Sequence, residues 1–157
     1  MINRRRKYPE NLKKIQFELP SDTWHGHSTE NLWAEELSSG KYRIKNTPFF
    51  VKGISFEDIV SSAVRDGTLT FEKVLISGGH STYRIILRDG IKHDAFVKSW
   101  MQIEKLGCSF ESAHFGYDIC AVDIPSNVDI KLVYHLLEKG ENLDIWSFEE
   151  GHCGHII

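Results

Sequence analysis

The sequence contains few cysteines and no motif that pairs them. Three cysteines occur in 157 residues, at positions 108, 120 and 153, and none are spaced as C-x-x-C. Cys108 and Cys120 lie in apolar runs, where a free thiol packs like a small hydrophobic side chain. A disulfide-stabilised secreted fold is therefore not expected, and the cysteine usage indicates a reducing compartment.

Long hydrophobic runs are missing as well. No apolar stretch approaches the ~18–20 residues that a membrane helix needs. The basic residues 1–7 are followed by YPEN rather than by the apolar region of a signal peptide. The chain also lacks internal repeats, a low-complexity linker and the G-x-S-x-G nucleophile motif. These absences predict a cytoplasmic protein without a membrane segment.

The net charge of −3 conceals an uneven distribution of charge. Residues 1–14 carry six basic side chains and one acidic side chain, so the rest of the chain holds 13 basic and 21 acidic residues, about −8 formally. Residues 1–13 are predicted to form a disordered basic arm. The acidic body argues against a nucleic-acid surface and suits a basic protein partner.

The second half of the chain predicts alternating strands and helices. Strands are predicted at residues 82–88, 108–115, 117–124 and 145–149, and helices at residues 93–106 and 126–140. Ser126 is placed to cap the second helix, and Gly107 and Gly140 are placed to end the two helices. The order βαββαβ predicts a ferredoxin-like unit over residues 80–150, followed by a C-terminal tail over residues 151–157.

The first half predicts short strands and no convincing helix. Ser38-Ser39-Gly40 and Asp66-Gly67 are hairpin signals. Residues 56–64 are interpreted as a strand, with a short helix over residues 55–63 as the alternative. About five short strands suggest a small antiparallel β-barrel over residues 14–79, because a small sheet hides its edges by closing. The predicted fold class is therefore α+β, with a barrel followed by the ferredoxin-like unit.

Several motifs resemble an uncharacterised bacterial family, domain of unknown function 4265. They are LWAE at residues 32–35, NTPFF at residues 46–50 and GHST at residues 79–82, and the similarity extends over residues 15–150. Family members more usually carry Gly-Asp where this chain has Phe56-Glu57-Asp58. The resemblance implies a small bacterial cytosolic protein, and it supplies no catalytic residue.

A possible site between the two units is the first candidate. It comprises His80, Ser81, Arg84, Trp33 and Glu35. A histidine base, a hydroxyl nucleophile and glycine amides would suit an anion or acyl site, and a buried Glu35 beside Trp33 would have a raised pKa. The alternatives are a two-glycine joint in which His80 packs, and an outer barrel face on which Glu35 is solvated.

The C-terminal tail carries residue types that bind metals. His152, Cys153 and His155 lie close together, with Glu149 or Glu150 nearby, and His25 and His27 would supply a second pair if the fold brought them near. Zinc sites usually join two distant ligand pairs, and no second pair is obvious in the sequence. We therefore predict no metal and no cofactor.

An acidic cluster is the feature that best separates the classes of function. It comprises Glu138, Glu141, Asp144, Glu149 and Glu150. An inhibitor of a cationic nuclease would use such a surface, since complementary charge speeds association. The sequence thus predicts a non-enzymatic protein-binding module, most simply an immunity protein that neutralises a cognate basic toxin, with no nucleic-acid or membrane partner. The alternatives are a small-molecule-binding regulatory module of ferredoxin-like type and an enzyme that uses the His80 loop.

Overall fold

A computed structural model describes residues 11–157 of the protein. Residues 1–10 of the predicted basic arm lie outside the described residues, whereas Leu12 and Lys13 already belong to the first strand. The fold is mixed α+β, with mostly antiparallel strands in two sheets and two helices. Neither helix of the described chain is long and apolar enough to cross a membrane.

The first five strands close into a ring, here called the strand ring. They are β1 (Leu12–Glu18), β2 (Thr29–Ser38), β3 (Lys41–Ile44), β4 (Ile59–Arg65) and β5 (Thr68–Ile76). Each strand pairs antiparallel with the next, and β1 closes the ring by pairing in parallel with β5 at Gln16 and Thr70. Side chains alternate across each strand, and the interior is filled by apolar ones, among them Ile15, Phe17, Leu32, Ala34, Ile44 and Val60.

The two hairpin signals of the first half lie at turns between strands. Gly40 joins β2 to β3 with φ of 77°, and Asp66 and Gly67 join β4 to β5 with φ of 49° and 78°. Two successive residues with positive φ fit the two-residue turn that matches the twist of paired strands. Glycine adopts this region without steric cost, and aspartate tolerates it.

The strand interpretation of residues 56–64 is confirmed from Ile59 onward, but the strand begins later than predicted. Residues before Ile59 form a turn around the fully buried Asp58. Its carboxylate accepts the backbone N–H groups of Ser55 (2.9 Å) and Gly78 (2.8 Å). These bonds to a buried carboxylate hold the backbone in a turn and prevent it from pairing as a strand.

The second half forms a four-stranded sheet with two helices. Its elements are β6 (Ser81–Leu87), α1 (His93–Glu104), β7 (Ser109–His114), β8 (Asp118–Ile124), α2 (Ile130–Asn142) and β9 (Trp146–His152). The spatial order is β7-β8-β6-β9, and all pairs are antiparallel. Both helices pack on one face, where Trp100 and Leu137 share a core with Ile85 and Val122.

The opposite face of this sheet is covered by the segment of the strand ring between β3 and β4, residues 45–58. Ser55 of this segment is hydrogen-bonded to Thr82 of β6, and the backbone N–H of Gly53 donates to the carbonyl of Gly151 in β9 (3.2 Å). The central strands β6 and β8 are therefore buried on both faces. This two-sided burial explains why their sequences read as nearly continuous apolar runs rather than as alternating ones.

Several other predicted boundaries also differ from the structure. Helix α2 is capped by Asp129, whose carboxylate accepts the N–H groups of Lys131 and Leu132, and not by Ser126, because residues 125–128 form a turn first. Helix α1 ends at Glu104, two residues before the predicted end. Strand β9 continues to residue 152, so the first two residues of the predicted tail belong to the sheet.

Candidate functional site

Between the strand ring and the four-stranded sheet, a carboxylate organises an irregular loop. Glu30 of β2 accepts the backbone N–H groups of Phe49 (2.7 Å), Phe50 (2.9 Å) and Val51 (2.8 Å). Pro48 precedes these residues, and no strand partner supplies acceptors for their N–H groups, so the carboxylate supplies them. Glu30 thus fixes the part of the loop that faces the sheet.

Arg84 holds the same loop from the sheet side. It lies on β6, on the face opposite the helices, and only 1% of the residue is exposed. Its Nη1 donates to the carbonyl oxygen of Phe49 (2.9 Å), and its Nε lies 2.9 Å from Oε1 of Glu149 in an ion pair that lacks hydrogen-bond alignment. Its Nη2 has no hydrogen-bond partner within residues 11–157.

Burial lowers the pKa of Arg84 from its ordinary value, while the carboxylates of Glu149 and Glu30 act in the opposite direction. Arginine nevertheless stays protonated in proteins. A buried cation with two nitrogens, Nε and Nη2, that lack a hydrogen bond is costly, since most buried polar groups have a partner. Among the buried polar atoms of the described residues that lack a hydrogen-bond partner, those of Arg84 belong to a charged group.

A cleft of about 550 Å³ opens beside this arginine, and it is here called the Arg84 cleft. Its walls are mostly aromatic and apolar, and the residues used below are Phe17, Trp24, Phe50, Phe71, Arg84 and Glu149. A concave and mostly apolar site with a few polar groups is the usual form of a ligand site. The Arg84 cleft therefore combines the shape of a binding site with a donor that lacks an acceptor.

Trp24 lies at the mouth of the Arg84 cleft. Its side chain is about half exposed, and its Nε1 donates to Oε1 of Glu149 (3.1 Å). The same carboxylate oxygen thus contacts Trp24 from the ring and Arg84 from the sheet. Because Nη2 of Arg84 has almost no accessible surface, a ligand reaches it only if a neighbouring side chain moves.

The loop that carries Trp24 is held by stacked rings. His27 stacks on Phe50 and His25 packs against it at a tilt, with ring centroids 4.3 and 4.4 Å from that of Phe50, respectively, and Phe115 from the β7–β8 hairpin closes the cluster. Burial lowers the pKa of His25, and the neighbouring His27 and Arg84 lower it further. The cluster therefore favours neutral His25, which stacks without burying a charge.

The predicted His80 loop is a joint between the two halves. His80 Nδ1 lies 2.8 Å from Oδ1 of Asp123, and its ring meets Phe56 edge-on. The adjacent Ser81 is fully buried, and its Oγ lies 2.6 Å from Nδ1 of His155 in the tail. These side chains join the two halves and the tail through their hydrogen bonds and ring contacts.

The histidines of the C-terminal tail point to different partners. His152 Nδ1 is hydrogen-bonded to Ser55 Oγ (2.8 Å), which also contacts Thr82 Oγ1 (2.7 Å), whereas His155 contacts Ser81. His25 and His27 are occupied in the aromatic cluster instead. Within the described part of the chain, no three His, Cys, Asp or Glu side chains are grouped to hold a metal ion.

Trp33 and Glu35 lie on the outer face of the strand ring and not in the Arg84 cleft. Trp33 is 40% exposed, with the Lys14 ammonium 4.9 Å from its ring centroid. Glu35 lies 4.0 Å from the Arg43 guanidinium. The structure therefore separates these two residues from Arg84, because their side chains point away from the ring interior on β2.

The five predicted acidic residues do not share one surface. Glu149 faces the strand ring and pairs with Arg84, whereas Glu150 faces the helices and accepts from the Tyr83 hydroxyl (3.3 Å). Neighbours on a strand point to opposite faces, so the sheet divides this pair. Glu138, Glu141 and Asp144 lie at the end of α2, where Glu141 accepts the backbone N–H of Phe148 (3.2 Å).

Sequence reasoning selected Arg84 and Glu149 but placed them in different groups, and it missed Glu30 and Trp24. The pairing of Arg84 with Glu149 follows from the register of β6 and β9, in which they are direct partners. The sequence did carry one signal for this pair. Arg84 lies within the apolar run of a strand, which predicts that it is buried, and a buried charge requires a partner.

Comparison with known proteins gives the family and the fold. The model of a family described as domain of unknown function (DUF4265) matches residues 30–148. No curated protein matches the chain. The fold is similar to a solved structure described as a "Novel crystal structure of a hypothetical protein from Neisseria gonorrhoeae". The TM-score is 0.72 and the sequence identity is 20%, and the match covers 90% of this chain and 96% of that chain. At this identity the likeness concerns the fold alone.

Proposed function

We propose, from the premise that the chain belongs to the DUF4265 family of unknown function, that it is a non-enzymatic binding module whose ligand occupies the Arg84 cleft. One observation carries this proposal. Arg84 lines an aromatic cleft, and its Nη2 group is buried without an acceptor. A ligand that places an acceptor oxygen there removes the cost of the unsatisfied donor, and that gain favours the bound state.

The chemistry of the walls indicates what kind of ligand fits. Phe17, Phe50 and Phe71 offer apolar surface, and Trp24 and Arg84 offer donors. A ligand with a flat apolar part and a carbonyl or carboxylate oxygen matches both features. Trp24 is released from Glu149 when the ligand enters, so we expect its fluorescence to report on binding.

Burial of the serine–histidine pairs supports a binding role rather than an enzymatic one. Ser55 and Ser81 are each hydrogen-bonded to a histidine, yet both residues have no exposed surface. A serine nucleophile must reach the carbonyl that it attacks. Their position between the two halves suits structural hydrogen bonds that join β6 to the ring and to the tail.

We assign the two halves to finer classes on their topology. The order β-α-β-β-α-β with strands arranged β7-β8-β6-β9 supports the ferredoxin-like interpretation of the second half. The pairing of β1 with β5 supports the barrel interpretation of the first half. Under this assignment the Arg84 cleft lies between two packed units, a favoured position for ligand sites.

The immunity role stays a prediction about the biological partner. The distribution of the acidic residues over two faces gives it no single docking surface, and Glu149 is occupied by Arg84. A cognate basic toxin would therefore contact the end of α2, around Glu138, Glu141 and Asp144. Association that is slowed by added salt would support this prediction.

The proposed function is tested by a titration with two matched small compounds, benzamide and benzoate. Both carry an aromatic ring and an acceptor oxygen, and only benzoate is charged. We expect millimolar benzamide to shift the NMR signals of the Trp24 indole N–H and the Gly53 amide in the wild-type protein. Arg84→Met should abolish these shifts, whereas Arg43→Met, on the outer face of the ring, should preserve them. No shift with either compound, or equal shifts in Arg84→Met, would overturn the proposal.

A further inference from the structure

Strand β5 has an open edge next to the Arg84 cleft. β5 pairs with β4 from Thr68 to Ile76, but it meets β1 at the single pair Gln16 and Thr70. β1 runs parallel to it and ends at Glu18. Residues 73–76 therefore have β4 as their only strand neighbour in the described chain, and this segment is here called the β5 edge.

The β5 edge is apolar and exposed. Val74, Leu75 and Ile76 are 41%, 37% and 60% exposed, respectively, and they follow one another in the sequence. Natural proteins usually protect open edges with charged side chains, proline or a bulge, because unpaired backbone groups attract further strands. Here Lys73 is the one charged residue of the segment, and the pairing of β5 with β4 shifts register at Glu72 and at Leu75. The apolar residues Val74, Leu75 and Ile76 nevertheless remain exposed along the edge.

The β5 edge and the Arg84 cleft are continuous. Phe71 and Val74 of β5 line the same cleft as Arg84 and Glu149. An extended chain that pairs with the edge would run along the mouth of the cleft, and every second side chain would point toward the aromatic walls. The edge would supply backbone hydrogen bonds, and the cleft would select side chains, as in other cases of strand addition.

The charges around Arg84 indicate which acceptor is suited to Nη2. The Arg84 cation already faces the carboxylates of Glu149 and Glu30, so a further carboxylate would meet two negative charges against one positive charge. A neutral carbonyl oxygen satisfies the donor without this repulsion. The backbone carbonyl of a peptide, or the side-chain carbonyl of Asn or Gln, has this chemistry.

We propose that the natural ligand of the Arg84 cleft is an extended peptide segment of a partner protein, which adds as a strand to the β5 edge and places a neutral carbonyl oxygen on Nη2 of Arg84. This inference rests on the proposed function and specifies its ligand. A second copy of this chain would cover Val74–Ile76 by edge-to-edge pairing, but that pairing provides no acceptor for Arg84. The peptide accounts for both features at once.

The test is a selection of phage-displayed random twelve-residue peptides on the full-length protein. Enriched peptides are synthesised, and their dissociation constants are measured by fluorescence anisotropy. Val74→Lys places a charge on the open edge, and Val64→Lys is its matched control, since Val64 is 69% exposed on β4. Both substitutions are at exposed positions, so we expect both variants to fold.

We expect the peptides to bind the wild-type protein and Val64→Lys equally, and to bind Val74→Lys and Arg84→Met more than tenfold more weakly. Peptides that bind Val74→Lys as well as the wild type would overturn strand addition. A selection that yields no peptide, while benzamide still binds in the Arg84 cleft, would refute the peptide inference and leave the proposed function intact. A dimer that Val74→Lys dissociates would instead assign the edge to a second copy and overturn the proposal.

Discussion

The interaction between Arg84 and Glu149 predicts two unequal stability effects. Arg84 is almost fully buried, whereas the Glu149 side chain is 37% exposed. Removal of the arginine leaves a carboxylate that water can reach. Removal of the carboxylate charge leaves a cation in the interior. The two substitutions Arg84→Met and Glu149→Gln therefore remove the same ion pair at different cost.

The magnitudes follow from the contacts of each group. Arg84→Met leaves the Phe49 carbonyl without the donor Nη1, which costs about 1–3 kcal/mol, and it removes the unsatisfied Nη2, which costs about as much in the native protein. These terms offset, so we expect a change within about 1 kcal/mol. Glu149→Gln removes the carboxylate paired with the buried cation and leaves Glu30 as the other carboxylate that acts on it. Because Glu149 is 37% exposed, we expect a loss of about 2 kcal/mol, below the ~3–5 kcal/mol of a fully buried pair.

Urea unfolding followed by tryptophan fluorescence and by circular dichroism measures both free energies of unfolding. Coincident transitions establish two-state behaviour. We also expect the double variant Arg84→Met/Glu149→Gln to be as stable as Arg84→Met, because the buried charge is gone. If Arg84→Met loses more than about 3 kcal/mol while Glu149→Gln loses less than about 1 kcal/mol, the reasoning about the unsatisfied donor is refuted.

Three further predictions concern the core, the thiols and the pH dependence of stability. Gly140→Ala places a methyl group 2.2 Å from the Trp146 indole, so urea unfolding should show a loss of about 1–3 kcal/mol despite the better helix propensity of alanine, whereas no loss would show that β9 shifts freely. Burial raises the pKa of Cys108 and of Cys120 to about 12, so these thiols should not react with iodoacetamide at pH 8 in the native protein. Mass spectrometry should then find at most Cys153 modified in the native protein and all three cysteines modified in urea. The pKa of His25 lies below its ordinary value of 6.5, so the unfolded chain binds more protons than the native protein, and stability falls as the pH drops below 6.5. His25→Gln should therefore lose less stability than the wild type between pH 7.5 and pH 5. An equal loss would contradict the lowered pKa of His25.

The strands and helices were predictable because their packing leaves a periodic pattern. Residues 12–18 alternate across the wall of the strand ring, and α1 buries Phe96, Trp100 and Ile103 along one stripe. The hairpins were predictable from their turn residues, because Asp66 and Gly67 tolerate the positive φ that the turn requires. The strand pattern gave the wrong start where a side chain binds the backbone N–H groups and holds the chain in a turn. Asp58 binds the backbone in this way, and β4 therefore begins only at Ile59.

The candidate site was predictable only in part, since it depends on contacts between distant segments. Glu30 organises residues 49–51 through their backbone N–H groups, which carry no side-chain signal in the sequence. Trp24 lies in a loop without periodicity and meets Glu149 across 125 positions. Glu149 and Glu150 likewise lie on opposite faces of the sheet because of the strand register. Acidic residues that are neighbours in the sequence are therefore separated in the structure.

The most direct test of the binding account is the NMR signal of the Arg84 side chain itself. In protein labelled with ¹⁵N at arginine, the guanidinium N–H signals of Arg84 are identified by their loss in Arg84→Met. We predict that benzamide shifts these signals and slows the exchange of their protons with water, because the ligand oxygen accepts from Nη2. Unchanged Arg84 signals at a benzamide concentration that shifts signals elsewhere would contradict the account, since the ligand would then bind without using the buried donor.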